Sequence, residues 1–163
     1  MKRIEVNDPT AICDMGTERY HQGDYKSAFD HLTKAAALGD VEAKYQLSLL
    51  YGDAKGVEKD EKKELLHLTE AAIGGHPMAR YNLGIHSYEN GRVDRAVKHL
   101  IIAAKLGYDK SMESLKDLQK LGFVSNEDFA AALRGHKAAI DATKSPQREE
   151  AEKWKTEERE EAS

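Results

Sequence analysis

Three histidines recur at matching places along the chain, and histidine is both a common metal ligand and a common general base. His31, His67 and His99 each lie eight residues before a glycine. If the sequence repeats in space, their imidazoles form a column whose spacing follows that of packed helices, about 8–10 Å. Two imidazoles that share a zinc ion must each place a nitrogen within about 2 Å of it. We therefore predict no metal site, and we expect each ring to pack between helices with one nitrogen in a hydrogen bond.

Other reactive side chains give no catalytic pattern. Cys13 is the single cysteine, which leaves no internal disulfide and no multi-cysteine zinc site. It is either a reactive thiol or a buried helix residue, and its place in the repeat favours the buried residue. The serines have no accompanying histidine and aspartate at a recognised spacing, and no glycine-rich phosphate loop is present. We predict neither an enzyme nor a cofactor.

Composition narrows the class of partner. Charged residues make up 33% of the 163 residues and the formal net charge is -4, so the chain has no basic excess to attract nucleic acid. It contains no signal-peptide-like or membrane-length apolar stretch. We expect no membrane association and a cytoplasmic or nuclear localisation.

Self-comparison of the sequence reveals a repeat. Aligning the chain on Gly39, Gly75 and Gly107 gives periods of 36 and 32 residues, which are typical of helix-pair solenoids. A small residue follows each glycine by four positions and a leucine by eight. These residues are Ala43, Ala79 and Ser111, and Leu47, Leu83 and Leu115.

Each repeat predicts two helices joined by a turn that contains glycine. The second helix carries paired alanines, such as Ala35 with Ala36 and Ala103 with Ala104, whose single methyl groups let two helices approach closely. The glycine that follows can end this helix in the left-handed conformation. We therefore expect neighbouring helix pairs to pack tightly.

The segment YGDAKGVEKDEKKELLHLTEAAIGGHPMARYNLG resembles the Sel1-like repeat (SLR), a relative of the tetratricopeptide repeat. The matching residues are Gly56, Val57, Asp60 and Lys63, followed by Ala71, Ala72, Gly75, His76 and Ala79. Glu64 stands where the family usually has alanine. The resemblance extends over about residues 11–125. It implies an all-α fold, a right-handed α-solenoid of antiparallel helix pairs with about three and a half repeats.

We predict three segments: the repeat array (1–124), a terminal capping helix (125–144) and a charged helix or tail (145–163). Ser125 is predicted to be the N-cap of the capping helix, and Ser145 with Pro146 predicts a new helix start. Trp154 either folds back onto the helix at 129–140 or is exposed for a partner.

The resemblance also implies function. In tetratricopeptide arrays the first helices line the concave side, and seven residues on this register are candidate partner-binding residues, although they could equally form core between repeats. They are Glu42, Tyr45, Leu49, Met78, Tyr81, Asn82 and Ile85. We predict a noncatalytic scaffold or adaptor that binds a peptide or protein segment of unknown identity. The alternative is a structural self-assembly module that pairs through its terminal helices, as a weak homodimer.

Overall fold

The computed structural model describes residues 8–161, including every side chain except those of 145, 152 and 155–161. The described residues form eight α-helices and no strand, which confirms the predicted all-α class. The helices are α1 (Pro9–His21), α2 (Tyr25–Ala37), α3 (Val41–Asp53), α4 (Glu61–Ile73), α5 (Pro77–Glu89), α6 (Val93–Lys105), α7 (Asp109–Lys120) and α8 (Asn126–Glu161). The predicted segments begin at residue 1 and end at 163, so their outermost residues, 1–7 and 162–163, lie outside the described part.

Side-chain caps explain where several helices begin. Asp24 and Asp40 each accept a hydrogen bond from the backbone N–H three residues later, at the starts of α2 and α3. Asp60 does the same at the start of α4. Ser125 Oγ accepts from the N–H of Asp128, which confirms Ser125 as the predicted N-cap. Each cap satisfies an N–H that has no partner within its own helix.

The contacts divide the chain into two compact units, of which the first ends at His86 and the second begins at Ser87, both within α5. In the first unit α1 packs against α2 and α3 against α4, and α2 packs against α3. The linker between α1 and α2 is only three residues long, as expected for an antiparallel helix hairpin. The first core is centred on Leu32, Leu47 and Leu50, which are almost fully buried.

In the second unit α6 packs against both α7 and α8, and α7 packs against α8. Ala96, Leu100 and Ala103 of α6 are buried, as is Leu115 of α7. The predicted fourth, incomplete repeat is therefore a helix pair, formed by α7 and the first half of α8.

The features predicted to let the repeats pack are present. Gly39, Gly75 and Gly107 all have φ near +90°, the left-handed conformation in which glycine is favoured. The paired alanines are buried, with only Ala36 half-buried. Close helix packing at these positions is therefore confirmed.

The predicted helix start at Ser145 and Pro146 is wrong, because α8 continues through Pro146 to Glu161. Proline removes one N–H from a helix and leaves a carbonyl without its partner. Every described side chain of residues 141–154 is exposed, so water can satisfy that carbonyl at little cost. Of the two alternatives for Trp154, folding back onto residues 129–140 is wrong, since all of them belong to this one continuous helix and the ring is 66% exposed.

None of the helices in residues 8–161 is both long enough and apolar enough to span a membrane.

Candidate functional site

A pocket of about 190 Å³ lies between α1 and α3, the first helices of two successive repeats. Its walls are mostly apolar and aromatic, with one carboxylate. The residues that line it are Thr17, Tyr20 and His21 of α1 and Glu42, Tyr45, Gln46 and Leu49 of α3. Three of the seven predicted partner-binding residues, Glu42, Tyr45 and Leu49, are therefore part of one pocket.

His76, the residue before α5, fixes one side of this pocket. Its buried ring stacks on Tyr45, with 4.3 Å between the ring centroids and an angle of 22° between the ring planes. Its Nδ1 accepts a hydrogen bond from the backbone N–H of Ala79, so the neutral ring carries its proton on Nε2. The Nε2–H donates to Glu42 Oε2 at 2.8 Å. His76 thus caps α5 and orients the Glu42 carboxylate at the same time.

Gln46 joins α1 to α3 at the pocket. Its amide nitrogen donates to Thr17 Oγ1 at 2.9 Å and to Glu42 Oε1 at 3.0 Å. The Thr17 hydroxyl in turn lies 3.0 Å from the carbonyl oxygen of Cys13. These bonds give the two helices a fixed register beside the pocket.

Glu42 is the acidic group of the pocket. Hydrogen bonds from His76, first, and from Gln46 favour the charged form and lower the pKa of this carboxyl, against the opposing effect of burial. Its side chain is 49% exposed, so the ionised oxygens are still accessible to a ligand. Glu42 therefore presents a negative charge in a fixed orientation.

Tyr20 lines the pocket on α1 and is itself held in place. Lys55 Nζ, in the loop after α3, donates to Tyr20 Oη at 2.7 Å, and this bond raises the pKa of Lys55. The same Nζ lies 3.5 Å from Asp53 Oδ2. The loop that follows α3 therefore supports a residue of α1.

The other predicted site residues lie outside the pocket lining. Met78 contacts the pocket indirectly, since the Tyr45 hydroxyl lies 3.9 Å from its sulfur. Tyr81, Asn82 and Ile85 are half-buried on α5. Tyr45 is only 8% exposed and belongs to a buried cluster that includes Leu68 and Ala79, so it contributes to the core as well as to the pocket.

Several pocket residues were not identified from the sequence. Thr17, Tyr20 and His21 precede the first clear repeat phrase, and Gln46 has a shorter amide, Asn82, at the equivalent position of the next repeat. In the sequence, His76 stands out only as part of the repeat pattern. Its position directly before Pro77 was the available signal, because proline is favoured in the first turn of a helix and the preceding residue can then serve as the cap.

Residues that could be reactive or could bind a metal have surroundings typical of structural residues. Cys13 is buried, as favoured from its repeat position, and burial, with the nearby carboxylate of Asp40, raises the pKa of its thiol to about 12. Such a thiol is not nucleophilic at neutral pH. Within residues 8–161 no group of three or more His, Cys, Asp and Glu side chains could hold a metal ion.

The histidine column is not uniform. His31 Nδ1 lies 2.7 Å from the carbonyl oxygen of Ser27, which is the expected arrangement. His67 instead stacks on Tyr51 with 9° between the ring planes, and its buried Nδ1 has no hydrogen-bond partner in the described part of the chain. The expectation of one hydrogen-bonded nitrogen per ring is thus met at His31, and at His67 the Nδ1 atom is not that nitrogen.

Comparison with known proteins identifies the repeats. The family model for the Sel1 repeat matches three times, over residues 9–40, 41–76 and 77–108. No curated protein matches the chain in a sequence search. Proteins that contain Sel1 repeats are generally scaffolds for protein interactions.

Several solved structures are similar to this chain, among them the following two. One is c5321, described as a protective antigen present in uropathogenic Escherichia coli strains and displaying an SLR fold. It is 30% identical with a TM-score of 0.68, over 86% of this chain and 32% of that one. The other is a Sel1 repeat protein from Oxalobacter formigenes, 29% identical with a TM-score of 0.66, over 85% of this chain and 60% of that one.

This chain therefore spans less than two thirds of either structure. The three family matches, which follow the helix pairs α1–α2, α3–α4 and α5–α6, confirm the α-solenoid class. The chain belongs to the Sel1 repeat family.

Proposed function

We propose that the protein is a noncatalytic scaffold that binds a segment of a partner protein across α1 and α3, with one partner side chain in the pocket between them. The observation that supports this proposal is the pocket itself. It lies between the first helices of two repeats, and its apolar walls surround an accessible carboxylate. Pockets that combine apolar surface with a few oriented polar groups are typical of binding sites.

The rigidity of the site also favours binding. Glu42, Tyr45 and Gln46 are each held by hydrogen bonds or ring stacking to His76 or Thr17. A partner would therefore lose little free energy in ordering the protein side of the interface.

Leu49 offers a direct test with a matched control. Its side chain forms part of the pocket wall and is 37% exposed, whereas Leu66 of α4 is 54% exposed and lies outside the pocket. Peptides of twelve residues would be selected from a random display library on the full chain, and their affinities measured by fluorescence anisotropy. We expect Leu49→Ala to weaken the binding of peptides that occupy the pocket at least about fivefold, and Leu66→Ala to leave their affinity unchanged.

Selected peptides that are insensitive to Leu49→Ala, or equally sensitive to Leu66→Ala, would contradict the proposal. Tyr45→Ala is a poor test because Tyr45 is a core residue, and its truncation would destabilise the fold.

Self-assembly through the terminal helix is a second candidate, and one observation favours it. Trp154 is 66% exposed on the part of α8 whose described side chains are all exposed. A large exposed aromatic residue is a common anchor of protein interfaces. Light scattering over a concentration series tests this candidate: a mass that rises in the parent and not in Trp154→Ala supports pairing, and a constant monomer mass refutes it.

A further inference from the structure

The pocket between α1 and α3 has a definite electrostatic character. Its lining contains no lysine and no arginine. Its one carboxylic acid, Glu42, is half-exposed, and hydrogen bonds from His76 and Gln46 favour its charged form. His21 is the other titratable side chain of the lining apart from the two tyrosines. The lining itself therefore offers a cation a counter-charge and contains no lysine or arginine to repel it.

Two further carboxylates, Asp14 and Asp40, lie near Cys13, one helical turn before the lining residue Thr17. The charges of Asp40, Glu42 and Asp14 all act on the buried Cys13 thiol in the same direction, disfavouring its ionised form. These three carboxylates lie on or directly before α1 and α3, the two helices that form the pocket. Lys55 is a basic residue in contact with the lining: its Nζ donates to Tyr20 Oη and lies 5.0 Å from the centre of that ring, and Asp53 Oδ2 at 3.5 Å balances its charge.

The size and chemistry of the pocket fit one long basic side chain. Its volume of about 190 Å³ is enough for several water molecules or for one extended side chain. Lysine and arginine combine an apolar stem with a terminal cation. Tyr20, Tyr45 and Leu49 provide apolar and aromatic surface for the stem. Tyrosine faces also attract cations.

Glu42 has capacity for such a ligand. An ionised carboxylate offers about four lone-pair positions. His76 and Gln46 each occupy one of them, on different oxygens. A lysine ammonium or an arginine guanidinium could therefore bond to Glu42 without displacing either partner.

We propose that the pocket binds the side chain of a lysine or arginine from the partner segment, with its stem against Tyr20, Tyr45 and Leu49 and its cation on the Glu42 carboxylate. This assignment rests on the proposed function, because it names the partner residue that the same pocket takes.

A thermodynamic cycle tests the contact between the two charges. The probes are the twelve-residue peptides that are sensitive to Leu49→Ala, each in its selected form and with the basic residue replaced by norleucine, which keeps the four carbons of the lysine stem and removes the charge. Binding is measured to the parent protein and to Glu42→Gln. We expect each single change to weaken binding about tenfold, and the double change to cost little more than either alone.

Three outcomes would overturn the inference: pocket-bound peptides without a basic residue, equal binding of the norleucine peptide, or additive effects of the two changes. In each case sensitivity to Leu49→Ala would still support segment binding, so the two proposals can fail separately. Asp14→Asn guards against a Glu42→Gln variant that does not fold, because Asp14 lies outside the lining. Asp14→Asn should weaken binding of the charged peptide by a smaller factor than Glu42→Gln does, and it should leave binding of the norleucine peptide unchanged. An equal effect on both peptides would contradict the proposed attraction between these carboxylates and the bound cation.

Discussion

His67 is a partly buried imidazole whose ring stacks on Tyr51 and whose Nδ1 lacks a partner in the described part of the chain. Burial lowers its pKa from the ordinary value of 6.5, and Lys44 and Lys63 act in the same direction against the opposing effect of Glu70. The unfolded chain therefore binds a proton at a higher pH than the folded chain does. Stability contributed by the neutral ring is present above the unfolded pKa and is lost as the pH falls below it.

We expect acidification from about pH 7.5 to about pH 5.5 to lower the melting temperature less in His67→Phe than in the parent, because phenylalanine keeps the ring contact and cannot be protonated. Thermal melts followed by circular dichroism measure this difference. Glu42 has a lowered pKa, so its own contribution is lost only at more acid pH, below its ordinary value of 4.5. His21→Gln, at an exposed position, serves as the control. An identical pH response of His67→Phe and the parent would show that His67 contributes nothing to it.

Two buried serines give a second prediction at the residue scale. Ser111 Oγ has no hydrogen-bond partner among the described residues, whereas Ser48 Oγ donates to the carbonyl oxygen of Tyr45 at 2.6 Å. Both serines are almost fully buried within helices. Ser111→Ala should raise the free energy of unfolding by roughly 1 kcal/mol, because it removes an unsatisfied hydroxyl.

Ser48→Ala is the matched control for Ser111→Ala, since it makes the same change in helix propensity but gives up a hydrogen bond. We expect its gain to be smaller or absent in the same urea titration. Equal effects of the two substitutions would mean that the Ser111 hydroxyl carries no penalty.

At the scale of elements, the long turn between α3 and α4 distinguishes the second repeat from its neighbours. Gly56 in this turn has φ of +72°, and a Cβ there would lie 2.5 Å from the carbonyl oxygen of Tyr25. Gly91, between α5 and α6, has the same φ and open space around its Cβ position. The two glycines thus share a backbone conformation and differ in packing.

Gly91→Ala should cost about 1 kcal/mol, the penalty of a left-handed alanine. Gly56→Ala should cost about 1–3 kcal/mol more, because the backbone of α2 must move away. Chemical denaturation of the two variants measures the difference. If they are equally destabilised, the contact between this turn and the start of α2 is looser than the structure indicates.

The repeat made the elements predictable, because the same small residues and stop glycines recur wherever two helices must pack. Departures from the repeat were harder to interpret. Glu64 stands in a usual alanine position, and its carboxylate occupies the space left by Gly52, where a Cβ would lie 2.8 Å from Glu64 Oε1. That compensation involves two helices, so neither residue indicates it alone. The pocket was only half predictable for the same reason. The repeat register predicts the lining residues of α3 except Gln46, whereas Thr17, Tyr20 and the role of His76 depend on contacts between elements.

At the scale of the whole molecule, the exposed end of α8 has no counterpart in the repeats. Its described side chains from 141 to 154 are all exposed, and Ala151 and Trp154 are among the few apolar residues in a run of charges. Helices without tertiary contacts depend on their own weak propensity. This part of α8 is therefore expected to lose its helical structure at lower temperature than the packed helices do.

Trp154 reports on that segment alone, since it is the only tryptophan. Because its ring is mostly exposed in the folded monomer, we expect a red emission spectrum that is accessible to iodide and changes little when the repeats unfold. Emission and circular dichroism recorded through the same denaturant titration check this. A cooperative emission change that coincides with the loss of helix at low protein concentration would mean that Trp154 packs against the folded chain. If the emission instead shifts to the blue only as concentration rises, and the shift follows the mass measured by light scattering, the ring is buried by a second copy, which would support self-assembly through α8.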